Sequence, residues 1–181
     1  MRIVNLIENT AGADGCAFAH GLSFYIETVK HKLLVDAGPS AQTLDNASKL
    51  GIDISQVDTM ILSHGHYDHS GGILPFAAVD PGAQILMQRT ATLDHYADDG
   101  ENAEGERFRY IGIDKKIPDL AQVRFVDGDV KIDEELELFT VKQKKIEIPF
   151  TNKRLLRRTA GGFERDTFDH EQYLVISCEG R

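Results

Sequence analysis

Apolar residues in this chain fall into short runs divided by polar, glycine-containing stretches, the pattern of an α/β protein. Arg2–Ile7 reads as a first strand, and the small, polar residues 8–19 read as a loop. Gly21–Thr28 and Leu33–Asp36 flank a turn at Val29–Lys32, which predicts a hairpin. Ser40 is placed to cap a helix running to about Leu50, with Leu44, Ala47 and Leu50 on one face and Gly51 as its stop. Val57–Leu62 predicts a buried strand, Ile73–Ala78 a short helix with Pro75 near its start, and Ala83–Met87 another strand. Residues 90–96 predict a helical turn, 98–106 an acidic loop and 107–113 an extended segment. Val123–Val126 and Val130–Ile132 predict a hairpin about Asp127-Gly128-Asp129, and Leu136–Val141 and Gln172–Ser177 two further strands. The order β, ββ, α, β, α, β, then more β is that of one half of an α/β sandwich.

Composition adds bounds. The 181 residues suffice for one domain with a core, and 41% apolar with 27% charged is ordinary for a soluble globular protein. A net charge of −9 argues against a general nucleic-acid partner. No apolar run approaches the roughly 18 residues of a membrane span. The N-terminal residues read as a strand and not as a leader peptide. Cys16 and Cys178 lack a CxxC spacing, so neither a disulfide scaffold nor a thiolate zinc site is indicated, and a cytoplasmic location is expected.

The chemistry gathers in Ser63-His64-Gly65-His66-Tyr67-Asp68-His69-Ser70-Gly71-Gly72, directly after a predicted strand. Imidazole and carboxylate suit zinc, with iron or manganese as alternatives. His64 and His66, two apart in extended backbone, are expected to point the same way. Asp68 and His69 follow where the chain turns and can address a second ion, with Asp68 both ligand and general base. The glycines let the loop bend. A solvated loop has no reason to hold three imidazoles and a carboxylate at this spacing. His20 reads as a loop residue, His31 as a solvated turn residue and His95 as a residue of the helical turn. Asp36, before Gly38 and Pro39, reads either as a turn-capping carboxylate or as the acceptor that fixes the tautomer of a ligating histidine. Residues 142–169 show no regular pattern. They carry Lys142, Lys144, Lys145, Lys153, Arg154, Arg157 and Arg158, and read as a solvated loop or as a lid whose cations receive an anionic substrate.

His64-x-His66-x-Asp68-His69, with a strand before and Gly71-Gly72 after, resembles the metal-binding signature of the metallo-β-lactamase superfamily. The resemblance implies that superfamily's αββα sandwich, here its N-terminal half plus the lid segment. It also favours the histidine-orienting role for Asp36. His20–Phe24, Val35–Ser40, Leu50–Asp53, Ser63–Gly72 and Phe168–Ile176 together resemble the branch named for dihydropterin–ribofuranosylaminobenzene phosphate synthase. Members of that branch continue past the last strand with a Cys-Ser-His segment and a later histidine that complete the metal ligands. These 181 residues contain neither, and His170 is not carried over as a ligand.

The resemblance thus implies one or two metal ions, weakly held by this chain alone. Three readings follow. One is a metal-dependent hydrolase or synthase-like transferase acting on a small, anionic, phosphate-bearing substrate, with its remaining ligands from a second copy or another chain, or with this chain a fragment of a longer enzyme. Another is a catalytically inactive half-domain that self-associates or pairs through the open edge of its last strand. The third is a truncated product with no independent role.

Overall fold

The computed structural model describes residues 1–141 and 149–177. In chain order the strands begin with β1 (Arg2–Ile7), β2 (Ser23–Glu27) and β3 (Lys32–Val35), followed by helix α1 (Gln42–Lys49). Strand β4 (Thr59–Ile61) leads into α2 (Tyr67–Ser70) and α3 (Ile73–Val79). Then come β5 (Gln84–Gln88), β6 (His95–Asp98), β7 (Phe108–Tyr110), β8 (Val123–Val126), β9 (Val130–Lys131) and β10 (Leu136–Phe139). The described chain ends with β11 (Leu155–Thr159), β12 (Gly162–Arg165) and β13 (Tyr173–Ile176).

The main sheet has the order β1-β2-β3-β4-β5-β8. Its first three strands pair antiparallel, and β3, β4, β5 and β8 run parallel. Period-two alternation explains why the central strands are apolar on both faces. Leu34, Met60, Ile85 and Met87 point to one side and join Ala47, Ile73 and Phe76 of α1 and α3 in the larger core. Leu33, Ile61 and Leu86 point to the other side, where they meet Leu136 and Leu138 of β10. That second face is covered by a three-stranded sheet ordered β13-β10-β9. A helical layer, the main sheet and a second sheet thus stack as three layers, an α/β architecture.

Several sequence expectations are corrected. Val123–Val126 and Val130–Ile132 do not form a hairpin: β8 joins β5 in the main sheet, whereas β9 pairs with β10 in the second. Gly128, at φ 90°, turns the chain from one layer to the other. Helix α1 starts after Ala41 and not directly at Ser40, although the Gln42 N–H donates to the Ser40 hydroxyl at 3.3 Å. Residues 95–98 are strand and not helical turn. Residues 155–165 form the β11–β12 hairpin, with Thr159 opposite Gly162 across a two-residue loop. Its register with β6 and β7 makes a third sheet, β12-β11-β6-β7. Of the segment read as a lid, residues 142–148 lie outside the described residues.

His31, expected to be solvated, is instead a staple. Its Nδ1 lies 3.0 Å from Asp58 and its Nε2 2.8 Å from Asp133, joining the β2–β3 turn to both sheets. Burial opposes its charge, but the hydrogen bonds to Asp133 and Asp58 prevail and raise its pKa. The same bond to His31 holds the Asp133 carboxyl down to about 2. A raised histidine stabilises fully below its unfolded pKa of about 6.5 and ceases to do so as pH rises through the folded value. A depressed aspartate stabilises above about 4 and loses its effect as pH falls toward its folded value. The pair therefore acts most strongly between about pH 4 and 6.5. His31→Gln is expected to lower the melting temperature by several degrees at pH 5.5 and by distinctly less at pH 8.5. Equal losses in thermal denaturation at both pH values would show that the ring contributes only packing.

Candidate metal centre

Parallel strands deliver the site residues to one end of the main sheet, where α/β proteins commonly bind ligands. Asp36 follows β3 directly, and residues 62–66 follow β4. The loop is not extended throughout: the His66 N–H donates to the His64 carbonyl at 3.1 Å, and α2 begins at Tyr67. Two close approaches fix its path. The Ala37 N–H donates to the His69 carbonyl at 2.7 Å, and the Gly72 N–H to the Gly38 carbonyl at 3.1 Å. A Cβ at Gly71 or Gly72 would collide with the carbonyls of Pro39 or Ala37, so only glycine lets these backbones meet.

Asp36 has the left-handed φ of 57° and is 3% exposed. Its carboxylate accepts the Ser63 N–H, the Ser63 hydroxyl and His69 Nδ1, each at 2.7 Å. Ser63 Oγ, having donated to Asp36, accepts from His64 Nδ1 at 2.9 Å. One carboxylate thus places the proton of both rings on Nδ1 and leaves both Nε2 lone pairs for an ion. Burial pushes the His64 pKa well below its ordinary value, with His69 and other imidazoles adding to the effect, so the ring is neutral. For His69 burial acts the same way, but the hydrogen bond and charge of Asp36 outweigh it and raise the pKa.

His64, Asp68 and His69 form a group that could hold a metal ion, their ligand atoms all within 4.8 Å of one another. His66 differs from expectation. Its ring centroid is 4.7 Å from that of His64, yet its ligand atom belongs to a second, fully buried group with His95, Asp166 and His170. The turn at Gly65 divides the two histidines. Asp166 lies under three imidazoles: burial would raise its carboxyl, but His170, His66 and His95 hold it far below the usual range, so it is anionic. The His170 pKa is lowered, chiefly by burial. The buried His66 Nε2 and His95 Nε2 have no hydrogen-bond partner among the described residues. His20, read from sequence as a loop residue, places its Nε2 3.3 Å from Asp68.

Sequence reasoning left His95, Asp166 and His170 out. The available signals were local: His95 and Ala97 alternate on one strand face, and Asp166 and His170 flank Phe168 just before a confident strand. Their convergence depends on strand pairing, with His95 opposite Arg157 across β6 and β11.

The site opens into a cleft of about 990 Å³. His66, Tyr67 and Asp68 line it together with Arg109, Lys153 and Arg154. Arg157 and Arg158 of the same basic run are engaged on the hairpin, with Asp169 and the Phe163 ring respectively.

A family model of the metallo-beta-lactamase superfamily matches residues 18–152. The chain belongs to that superfamily. It is 32% identical over 136 residues to an uncharacterized protein of Methanocaldococcus jannaschii, covering 72% of this chain and 49% of the relative. It is 38% identical over 79 residues to the 7,8-dihydropterin-6-methyl-4-(beta-D-ribofuranosyl)-aminobenzene-5'-phosphate synthase of the same organism, covering 40% of this chain and 27% of the relative. Among solved structures, a metal-dependent hydrolase of the beta-lactamase superfamily superposes with a TM-score of 0.77 at 27% identity. That match covers 96% of this chain and 60% of the other. The chain therefore spans about half the length, or less, of the curated relatives it matches. Superfamily members bind metal ions, and this chain carries a matching His/Asp cluster. Among the described residues no helix is long and apolar enough to cross a membrane.

Asp36→Asn replaces one carboxylate oxygen with a donor and cannot satisfy Ser63 and His69 together. It is expected to weaken zinc binding roughly tenfold to a hundredfold while the protein stays folded. Unchanged affinity in a competition titration would show that the two rings hold their orientation without it.

Proposed function

We propose that the protein is a metal-dependent enzyme acting on a small, anionic, phosphate-bearing substrate. His64, His66, Asp68 and His69 are its metal ligands, for zinc or, alternatively, iron or manganese, as one or two ions. The observation that carries this reading is the grouping of His64, Asp68 and His69 with both imidazole lone pairs pre-set, Asp68 also lining a cleft that Arg109, Lys153 and Arg154 line. The His66 ring lies beside this group, its centroid 4.7 Å from that of His64.

When bound, the metal would supply Lewis-acid polarisation of the substrate or an activated water. The chain's own groups do the rest. Asp68, 14% exposed at its side chain and next to His20, is placed to take a proton and pass it toward solvent through that exposed ring. Arg109, Lys153 and Arg154 receive the anionic part of the substrate. Residues 150–154, a 3₁₀ turn, form one rim of the cleft and are the part of the basic segment suited to act as a lid. Hydrolysis follows the name of the structural relative and group transfer that of the synthase. The charges in the cleft suit either.

A second reading, pairing with another chain or a second copy, is favoured by β13. Among the described residues it is hydrogen-bonded only to β10 and exposes Tyr173 and Val175. Such a partner would supply further ligands.

Metal content per purified chain tests the main reading. About one or more equivalents of metal are expected in the wild type, with the loss of most of it in His64→Ala. A well-folded wild type without metal after zinc loading would overturn it. Sedimentation of the same samples tests the second: a dimer or larger species is expected, and a strict monomer at micromolar concentration would count against pairing. Lys153→Ala is expected to raise KM for a phosphate-ester substrate about tenfold with little change in kcat, as loss of one charge-assisted contact implies. A fall in kcat alone would place Lys153 in the chemistry instead.

A further inference from the structure

We propose that Asp166, framed by His95 and His170, is the positioning carboxylate of His66: it sets which nitrogen of that ring carries the proton and which faces a metal. The buried four-residue group is then the support of the metal centre and not a second ion site. The proposal rests on the reading of His66 as a ligand.

The argument runs through the ring nitrogens one by one. The Gly65 N–H donates to His170 Nδ1 at 3.0 Å. A ring nitrogen that accepts carries no proton, so in the neutral imidazole the proton is on Nε2. That Nε2–H donates to Asp166 Oδ2 at 3.1 Å. His170 therefore has no lone pair left for an ion. Its two bonds instead tie Asp166 to the backbone of Gly65, the residue between His64 and His66. An ionised carboxylate only accepts, so His95 Nδ1, 3.2 Å from the same oxygen, also carries its proton. The other oxygen, Oδ1, accepts the Phe168 N–H at 2.8 Å. Asp166 is thus pinned from several sides, in a position 1% exposed.

His66 is the remaining neighbour. Among the described residues its buried Nε2 lacks a hydrogen-bond partner, as does His95 Nε2, and Asp166 Oδ2 lies 3.9 Å from His66 Nε2. This is too far for a formed hydrogen bond and close enough to become one through a small rotation of the ring. A proton on His66 Nε2 is the arrangement that relieves both the orphaned nitrogen and the buried anion. It leaves the Nδ1 lone pair for a metal. The pairing repeats what Asp36 does for His69 at 2.7 Å with the opposite ring nitrogen. Metal-bound histidines commonly hand their other N–H to a carboxylate in this way.

The decisive measurement is the tautomer of each histidine in the metal-free protein, read from two-bond nitrogen–proton correlations of the ¹⁵N-labelled chain. His66 and His170 are expected with the proton on Nε2 and His95 with it on Nδ1. In Asp166→Asn, His66 is expected to become a mixture. A wild-type His66 protonated on Nδ1 would overturn the proposal, whether or not the variant folds. Cobalt titration, followed by absorption and metal analysis, supplies the second arm. Asp166→Asn is expected to lose roughly tenfold to a hundredfold in affinity and to shift the cobalt absorption bands, with the melting temperature nearly kept. If Asp166→Asn and His95→Gln each removed a whole equivalent of cobalt that His64→Ala retained, the buried group would itself be an ion site and the proposal would fail. If wild-type protein took up no cobalt while its His66 tautomer still depended on Asp166, the positioning would stand and the ligand reading would fall.

Discussion

The carboxylate of Asp36 is the constraint on which the site depends. It sits where β3 ends, in a backbone conformation that costs a non-glycine residue of order 1 kcal/mol or more. Glycine would relieve that cost but could not accept three hydrogen bonds. The Asp36 N–H donates to the Ile61 carbonyl at 2.9 Å, and its own carbonyl accepts the Ser23 hydroxyl at 2.7 Å. Three strands therefore converge on one residue before any side chain of the site is counted. Hydrogen bonds to a buried charge contribute about 1.5–3 kcal/mol each, enough to outweigh the strain. The same bonds orient His64 and His69, so local strain, strand ends and ligand geometry form one arrangement.

Polar anchors continue this logic across the layers. The Gln172 side-chain amide donates to the Leu62 carbonyl at 2.8 Å and accepts from Gln88 at 3.0 Å, while the Gln172 N–H donates to the Ser63 carbonyl at 2.8 Å. The start of β13 is thereby fixed to the ends of β4 and β5, beneath the histidine loop. Asp166 lies just upstream in the same segment. The second sheet thus does more than cover an apolar face: the segment between β12 and its strand β13 carries a buried anion to the far side of His66. A rigid support of this kind keeps ligand rings within the small angular range an ion tolerates.

Much of this was legible in the sequence, and what was hidden had physical reasons. Leu33–Val35, Thr59–Ile61 and Gln84–Gln88 show as apolar runs because both of their faces are buried, and His64, His66, Asp68 and His69 cluster within one loop. The β11–β12 hairpin left no such trace. Its residues are mostly exposed or half-buried, so arginines occupy a strand without violating any burial requirement. His31 looked solvated because its partner Asp133 is 102 positions away. His95 and Asp166 are 71 positions apart and meet only through the pairing of β6 with β11. Chemistry assembled by long-range pairing has no spacing to read, whereas chemistry assembled within one loop does.

Charge in the cleft connects the fold to the proposed substrate. The chain as a whole is strongly acidic, at −9, so a general attraction for anions is absent. Locally the balance differs. Arg109 and Arg154 both reach Asp99, so one carboxylate is shared between two guanidinium groups. Lys153 stands over the Phe150 ring at the same rim. The acids facing them are Asp98, itself bonded to Arg107, and Asp68. With Arg107 counted, four cations stand against three carboxylates, so the rim is close to neutral. A divalent ion held by Asp68 and the imidazoles would make the sum distinctly more positive in a recess where field lines are focused. On the proposed reading, the metal therefore strengthens anion binding in this cleft: the ion that supplies the chemistry also adds to the charge that draws the substrate in.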